Sequence, residues 1–132
     1  MSKLRVWWIP QVGADGGAFY IPVNTVEEGK KIMDLLAAYD AFQLQNRIKP
    51  DYCNTGGIQI WNEGNEDESE WEDWWMETDE DYFDDVDDYC EQYEKADELK
   101  DFRSELFKQI DWNKIHEITM YKEIAFLFKI GG

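Results

Sequence analysis

Carboxylates are the most abundant chemically active side chains in this sequence. It holds 30 Asp and Glu against 13 Lys and Arg, with one histidine, His116, and two cysteines, Cys53 and Cys90. Acid–base catalysis by paired carboxylates needs two groups whose environments push their pKa values apart. With so many candidates, spacing singles out no pair. A cysteine nucleophile needs a base to take its proton, and His116 is the only imidazole, so Cys53–His116 is a dyad of that type open to the chain. Asp51 and Asn54 flank Cys53 in Pro50-Asp51-Tyr52-Cys53-Asn54-Thr55-Gly56-Gly57. The plainer account of that stretch is a polar loop whose glycines lead into a strand. His116, beside Glu117, reads as a structural or surface residue. The two cysteines lack metal-type spacing and read as reduced. Gly13-Ala14-Asp15-Gly16-Gly17 has turn composition, without the Lys-Ser/Thr element and following helix of a phosphate loop. These features point away from an enzyme.

The acidic residues are concentrated. The segment from Glu63 to Glu98 carries 19 of the 30, with one basic residue, Lys95, so its charge is −18 against −17 for the whole chain. The rest of the chain is close to neutral. Such a charge disfavours direct contact with nucleic-acid phosphates or an anionic membrane and favours a basic protein partner or a cation. Three readings of the segment follow. It is a solvated face. Or Asp79, Glu80, Asp81, Asp84, Asp85, Asp87 and Asp88 form a functional anionic surface that imitates duplex phosphates and fills a basic cleft on a nucleic-acid-binding protein. Or the carboxylates hold a divalent ion, although the glycine and ordered ligand spacing of a calcium loop are missing, and no metal or other cofactor is expected. Trp71, Trp74 and Trp75, with Trp61, serve as core or as anchors for a protein partner, since Trp and Tyr dominate interface hot spots. A different class of function would follow if Arg5, Arg47, Lys49 and Arg103 met in one pocket, which would suit a small nucleotide-like ligand.

The elements that must position these groups can be read from periodicity. A chain of 132 residues, 16% aromatic, has the means for a core and is expected to form one domain over residues 1–132. Leu4 to Ile9 alternates with apolar residues on both faces, predicting a strand covered on both sides. Phe19, Ile21 and Val23 alternate again, giving an antiparallel hairpin over residues 3–23. Thr25-Val26-Glu27-Glu28 is a capping box, opening a helix from about Val26 to Asn46 whose apolar stripe is Ile32, Leu35, Leu36, Tyr39 and Phe42 or Gln43, with Lys30, Lys31, Asp34 and Asp40 off it. Ile58 and Ile60 mark a third strand. Trp71 to Met76 is expected as the fourth, with Glu66, Asp67, Glu68 and Glu70 at the tip of this second hairpin. From Asp79 the period becomes helical: Tyr82, Val86, Tyr89 or Cys90, and Tyr93 form a stripe, and Leu99, Phe102, Leu106 and Ile110 continue it as two helices or one kinked near Lys95 to Glu98. Residues 112–118 add a helical turn or two, and Ile124 to Ile130 is rich in strand formers. The expected fold is α+β, an antiparallel sheet of two hairpins packed by an amphipathic helix, with acidic amphipathic helices in the C-terminal half. The N-terminus lacks a secretory apolar core, and no stretch approaches about 18 apolar residues, so a cytosolic chain outside the membrane is expected.

Two strings are distinctive. Val6-Trp7-Trp8-Ile9-Pro10-Gln11-Val12 and Ile48-Lys49-Pro50-Asp51-Tyr52-Cys53-Asn54-Thr55-Gly56-Gly57, with Phe19-Tyr20-Ile21-Pro22-Val23 between them, resemble a family of small tailed-phage proteins labelled superinfection immunity or superinfection exclusion proteins. The resemblance covers roughly residues 3–62 and continues loosely into the acidic segment. It implies a protein made by a phage in the bacterial host cytoplasm, of a kind that antagonises host defence or excludes rival phages. It brings no catalytic motif. The expected function is therefore non-enzymatic interference by binding a basic host component through the acidic surface. The alternative is a sponge that sequesters a small nucleotide immune signal in a basic and aromatic pocket, for which a homodimer would be a fitting assembly.

Overall fold

A computed structural model describes residues 3–10, 16–48, 54–63 and 70–118. Val6 and Trp8 are buried along one face of β1 (Leu4–Ile9), while Arg5, Trp7 and Ile9 on the other face are half-buried. β1 pairs antiparallel with β2 (Phe19–Val23), from Leu4↔Val23 to Trp8↔Phe19, and with β3 (Thr55–Asn62), from Leu4↔Ile60 to Ile9↔Thr55. β4 (Glu70–Asp73) joins the far side of β3, with Trp61 opposite Trp71, giving the order β2-β1-β3-β4. The sheet is thus two hairpins, as the alternation predicted, joined along β1 and β3, and the fold is α+β. Gly56 sits opposite Trp8. A Cβ there would press on the Trp8 ring and lie 2.8 Å from the Trp7 carbonyl oxygen.

The helix α1 (Val26–Gln45) begins where the capping box predicted. The Thr25 hydroxyl accepts from the Glu28 N–H at 3.1 Å. Glu28 reaches back one residue further than expected, its carboxylate accepting from the Asn24 N–H at 2.9 Å rather than from the cap residue. The buried face differs from the predicted stripe. Val26, Gly29, Ala38, Ala41 and Leu44 are buried, whereas Leu35, Tyr39 and Phe42 are 46%, 57% and 43% exposed. The reason is close packing. Gly29 lets Ile58 and Val6 approach the helix backbone, and Ala38 and Ala41 sit where α1 faces the C-terminal helices. Large side chains at those positions would hold the layers apart, so they lie on the flank. Asp34 and Asp40, expected off the stripe, are buried with partners. Asp34 takes Lys30 at 3.0 Å and Arg103 at 3.7 Å, and Asp40 accepts from the Asn54 amide at 2.9 Å.

The chain departs most from expectation after β4. The fourth strand ends at Asp73, not Met76; Trp74 makes one more backbone bond to β3, its N–H donating to the Ile58 carbonyl at 3.0 Å, and its ring lies in the core, meeting Tyr89 edge to face at 5.4 Å. Met76 and Glu77 form β5 (Met76–Glu77), which pairs with β6 (Tyr82–Phe83) in a separate two-stranded sheet. The helix expected from Asp79 is therefore absent there. Thr78 diverts the chain: its hydroxyl accepts from the Asp81 N–H at 2.9 Å and its own N–H donates to the Asp81 carbonyl at 2.7 Å, closing a turn that competes with helix. Carboxylates at i,i+3 and i,i+4 would also have opposed a helix through this run. Helix begins only at α2 (Val86–Glu91), six residues capped by Asp85. α3 (Ala96–Phe107) follows, then helical residues 112–118. The main core joins Val6, Val23 and Ile58 of the sheet to Val26, Trp74, Cys90 and Leu99; a second cluster ties Ala41 and Leu44 to Ile110 and Ile115. The predicted strand at Ile124 to Ile130, residues Glu66 to Glu68 of the predicted hairpin tip, and the loop residues Pro50 to Cys53 lie outside the described residues; Glu70, expected at that tip, instead opens β4.

Candidate functional site: an acidic platform and its surroundings

The seven carboxylates singled out from the sequence do not share one helix face. Asp79, Glu80 and Asp81 occupy the turn between β5 and β6, Asp84 and Asp85 the link to α2, and Asp87 and Asp88 its first turn. All seven residues are exposed. Two have structural work. Asp85 accepts from the Asp87 and Asp88 N–H groups at 2.8 and 3.2 Å, and Asp87 pairs with Lys30 at 3.1 Å. Asp79, Glu80, Asp81, Asp84 and Asp88 make no ion pair among the described residues. The platform is fixed to the body from below. Phe83 and Tyr89 meet edge to face at 5.6 Å, Tyr89 packs on buried Trp74, and its hydroxyl donates to Glu27 at 2.7 Å. Burial, then that carboxylate, push the Tyr89 phenol up to about 12. Burial would lower the Lys30 ammonium, but its bonds and proximity to Asp34 and Asp87 outweigh this and hold it above the ordinary lysine value.

The three tryptophans proposed as anchors separate into three environments. Trp74 is core. Trp71 meets Trp61 edge to face at 5.4 Å and carries the Arg5 guanidinium 4.2 Å above its ring. Trp75 is exposed, stacked on Tyr82 at 6.4 Å, its indole N–H donating to Glu72 at 3.0 Å. Of the four basic residues proposed as a pocket, the three that lie among the described residues do not gather. Arg5 lies on the sheet face away from α1, bonded to Gln59 at 2.8 Å and held between Tyr20 and Trp71. Arg103 lies on the helical side, 3.7 Å from Asp34 and 4.3 Å from the Phe107 ring centroid. Arg47 sits past the end of α1 with a left-handed φ of 59°. Lys49 is outside the described residues.

A different set of groups does converge. Between α1, α2 and α3 lies a cleft of about 690 Å³ whose lining includes Lys30, Lys100 and Arg103, the stacked pair Phe107 and Trp112, and the acids Asp34, Asp87 and Glu91. As candidate site residues, sequence reasoning named only Arg103 and Asp87 of these. Lys30 and Asp34 are four residues apart on a helix, a visible pair, but nothing in the sequence placed α3 beside them. Cys90 also lines the cleft; burial pushes its thiol up to about 11, against the pull of Lys30, so it is protonated at neutral pH and a poor nucleophile. His116 is exposed on the helical stretch 112–118, and Cys53, its proposed partner, lies outside the described residues. Among the described residues no group of three His, Cys, Asp or Glu side chains is placed to hold a metal ion, and no helix is long and apolar enough to cross a membrane.

The family model for superinfection exclusion gene product 17 matches residues 3–95, which takes in the sheet, α1, the β5–β6 pair and α2. The chain belongs to this family. A superinfection exclusion protein of Salmonella phage P22 is 48% identical to it over 83 residues, spanning 57% of this chain and 79% of the relative. No solved structure matches the chain. The gene product 17 match holds the whole acidic platform and ends one residue before α3, so the α3 wall of the cleft, with Lys100, Arg103 and Phe107, falls beyond it.

Proposed function

We propose that this chain is a phage superinfection exclusion protein that works without catalysis, by presenting the carboxylates of residues 79–88 to a basic surface on a protein of the infected cell. The observation that carries this reading is the platform itself. Five exposed carboxylates, without an ion pair among the described residues, stand on a β-turn, a link and a helix start that Trp74, Phe83 and Tyr89 hold against the core. Fixed carboxylates lose less conformational freedom on docking than a charge-rich coil would, and a basic cleft that otherwise takes nucleic-acid phosphates would accept them by the same electrostatics. The membership in the gene product 17 family supplies the setting, in the phage-infected cell.

The test leaves the structural acids alone. A variant carrying Asp79→Asn, Glu80→Gln, Asp81→Asn, Asp84→Asn and Asp88→Asn keeps the α2 cap and the Lys30 pair. In cells it is expected to lose exclusion of a challenging phage, read as recovered plating efficiency, and in host lysate to lose a capture that weakens steeply with salt. Full exclusion by this variant would sink the reading.

A second reading places a small nucleotide in the cleft, favoured by Lys100 and Arg103 beside the Phe107–Trp112 stack. Three acids in the same lining offset its cations, which weighs against an anionic ligand. Calorimetric titration with mono- and dinucleotides, with Arg103→Ala as control, decides it: heat of binding lost in the variant supports the cleft, and none in the parent protein removes it.

A further inference from the structure

Aromatic rings cross the outer face of the sheet, and a groove lies at its β3–β4 end. Arg5 lies 3.9 Å from the Tyr20 ring centroid and 4.2 Å from that of Trp71, and Trp71 meets Trp61 edge to face. Beside Trp61 is a groove of about 240 Å³ whose walls include Ile60, Trp61 and Trp75, with Glu63 and Glu72 and one cation, Lys3. Trp75 is 45% exposed and stacks on Tyr82, which is 60% exposed. Tyr82 follows Asp81 directly, so the groove and the acidic platform adjoin through this stack. One Glu72 oxygen takes the Trp75 indole N–H, and the other the Asn62 amide at 3.4 Å, which fixes the carboxylate at the groove.

Large exposed rings bordered by carboxylates attract cations, since the ring faces and the acids act with the same sign. Between the two protein cations, guanidinium suits such a place better than ammonium, being planar, weakly hydrated and able to stack. The molecule holds its own instance of that geometry in Arg5, clasped by Tyr20 and Trp71. We infer that the groove between Trp61 and Trp75 receives an arginine side chain of the basic partner protein. This rests on the platform being the partner-binding surface and adds what fixes the partner's register on it. The platform supplies long-range attraction, while the groove distinguishes arginine from lysine.

Octa-arginine and octa-lysine peptides, titrated calorimetrically into the full chain at about 50 mM salt so that charge attraction is retained, separate the two roles. The parent protein is expected to bind octa-arginine about two- to fivefold more tightly, within what an exposed cation–π contact supplies, because guanidinium also stacks on the ring and is more weakly hydrated than ammonium. Trp75→Leu is expected to abolish that ratio while octa-lysine binds as before, and Tyr82→Leu provides the same test should the first variant fail to fold by circular dichroism. The five-carboxylate variant is expected to weaken both peptides together. Equal affinities in the parent, or equal losses for both peptides in Trp75→Leu, would overturn the groove. An arginine preference that persists while the five-carboxylate variant binds both peptides undiminished would keep the groove and remove the platform. Absence of binding by either peptide removes both.

Discussion

Asp84 and Asp85 are adjacent, exposed and chemically alike, yet only Asp85 holds backbone, accepting from the Asp87 and Asp88 N–H groups at the start of α2. Asp85→Ala should therefore lower stability by about 1 kcal/mol, the usual cost of a lost N-cap, whereas Asp84→Ala should change it by less than about 0.5 kcal/mol. Urea unfolding of the two variants makes the comparison, and equal effects would remove the cap assignment. Tyr89 gives a pH dependence. Its phenol is held up at about 12 by burial and by Glu27, while an unfolded tyrosine titrates near about 10. Between those values the folded state binds more protons, so this contribution is complete below about pH 10 and is lost as pH rises toward 12. Tyr89→Phe should flatten the alkaline decline in unfolding midpoint; an unchanged decline would place its origin elsewhere. At this scale the sequence was legible where a local rule exists. Thr25 and Glu28 announced a cap, although the glutamate bonds one residue earlier than expected. Asp85 read as one charge among many, since its neighbours are nearly all acids too.

Strand alternation identified β1, β2 and β3 and their antiparallel hairpins because period two survives in short segments with a buried face. The same rule failed past Trp74: Trp71, Trp74 and Trp75 suggested one strand, but Trp74 makes the last backbone bond to β3 and the chain then turns off into a second sheet. On α1 the stripe of large apolar residues misled. Burial follows Gly29, Ala38 and Ala41, positions whose small size permits close approach to the sheet and to the C-terminal helices, and no pattern of hydrophobicity reveals how near two layers will come. The displaced residues Leu35, Tyr39 and Phe42 instead line a groove of about 260 Å³ with Leu106 and Ile110. Close approach is testable in the sheet. Gly56→Ala would push a methyl onto the Trp8 ring and to 2.8 Å from the Trp7 carbonyl oxygen, a backbone atom that cannot rotate away. A loss of about 1–3 kcal/mol is expected from such overpacking, read by the same urea midpoint. A neutral Gly56→Ala would mean that β1 and β3 can separate without disturbing the core.

The whole molecule sets one electrostatic effect against another. Residues 70–98 carry fifteen carboxylates and one basic side chain, Lys95; past β4, which pairs with β3, the hold on the body is mainly aromatic packing around Trp74 and Tyr89, with the Lys30–Asp87 pair beside it. That concentration of charge was the most legible property of the sequence. Its division among a turn, a link and a six-residue helix was not, because charge alone carries no period. Like charges so close repel, and salt screens them within a Debye length of about 10 Å at 0.1 M. Raising NaCl from about 0.02 to 0.5 M, a range over which exposed pairs are largely screened, should therefore raise the melting temperature, by roughly 4 °C for each kcal/mol of repulsion removed. The five-carboxylate variant should start higher and respond less. A melting temperature that falls with salt would mean that attractive pairs such as Lys30–Asp87 and Lys108–Glu105 outweigh the repulsion. The proposed capture of a basic partner should weaken over the same range. Opposite salt responses of folding and binding, both diminished by neutralising the same five residues, would tie the instability of the platform to its use: charges that oppose folding alone are the ones a basic partner relieves, so binding should also raise the melting temperature most at low salt.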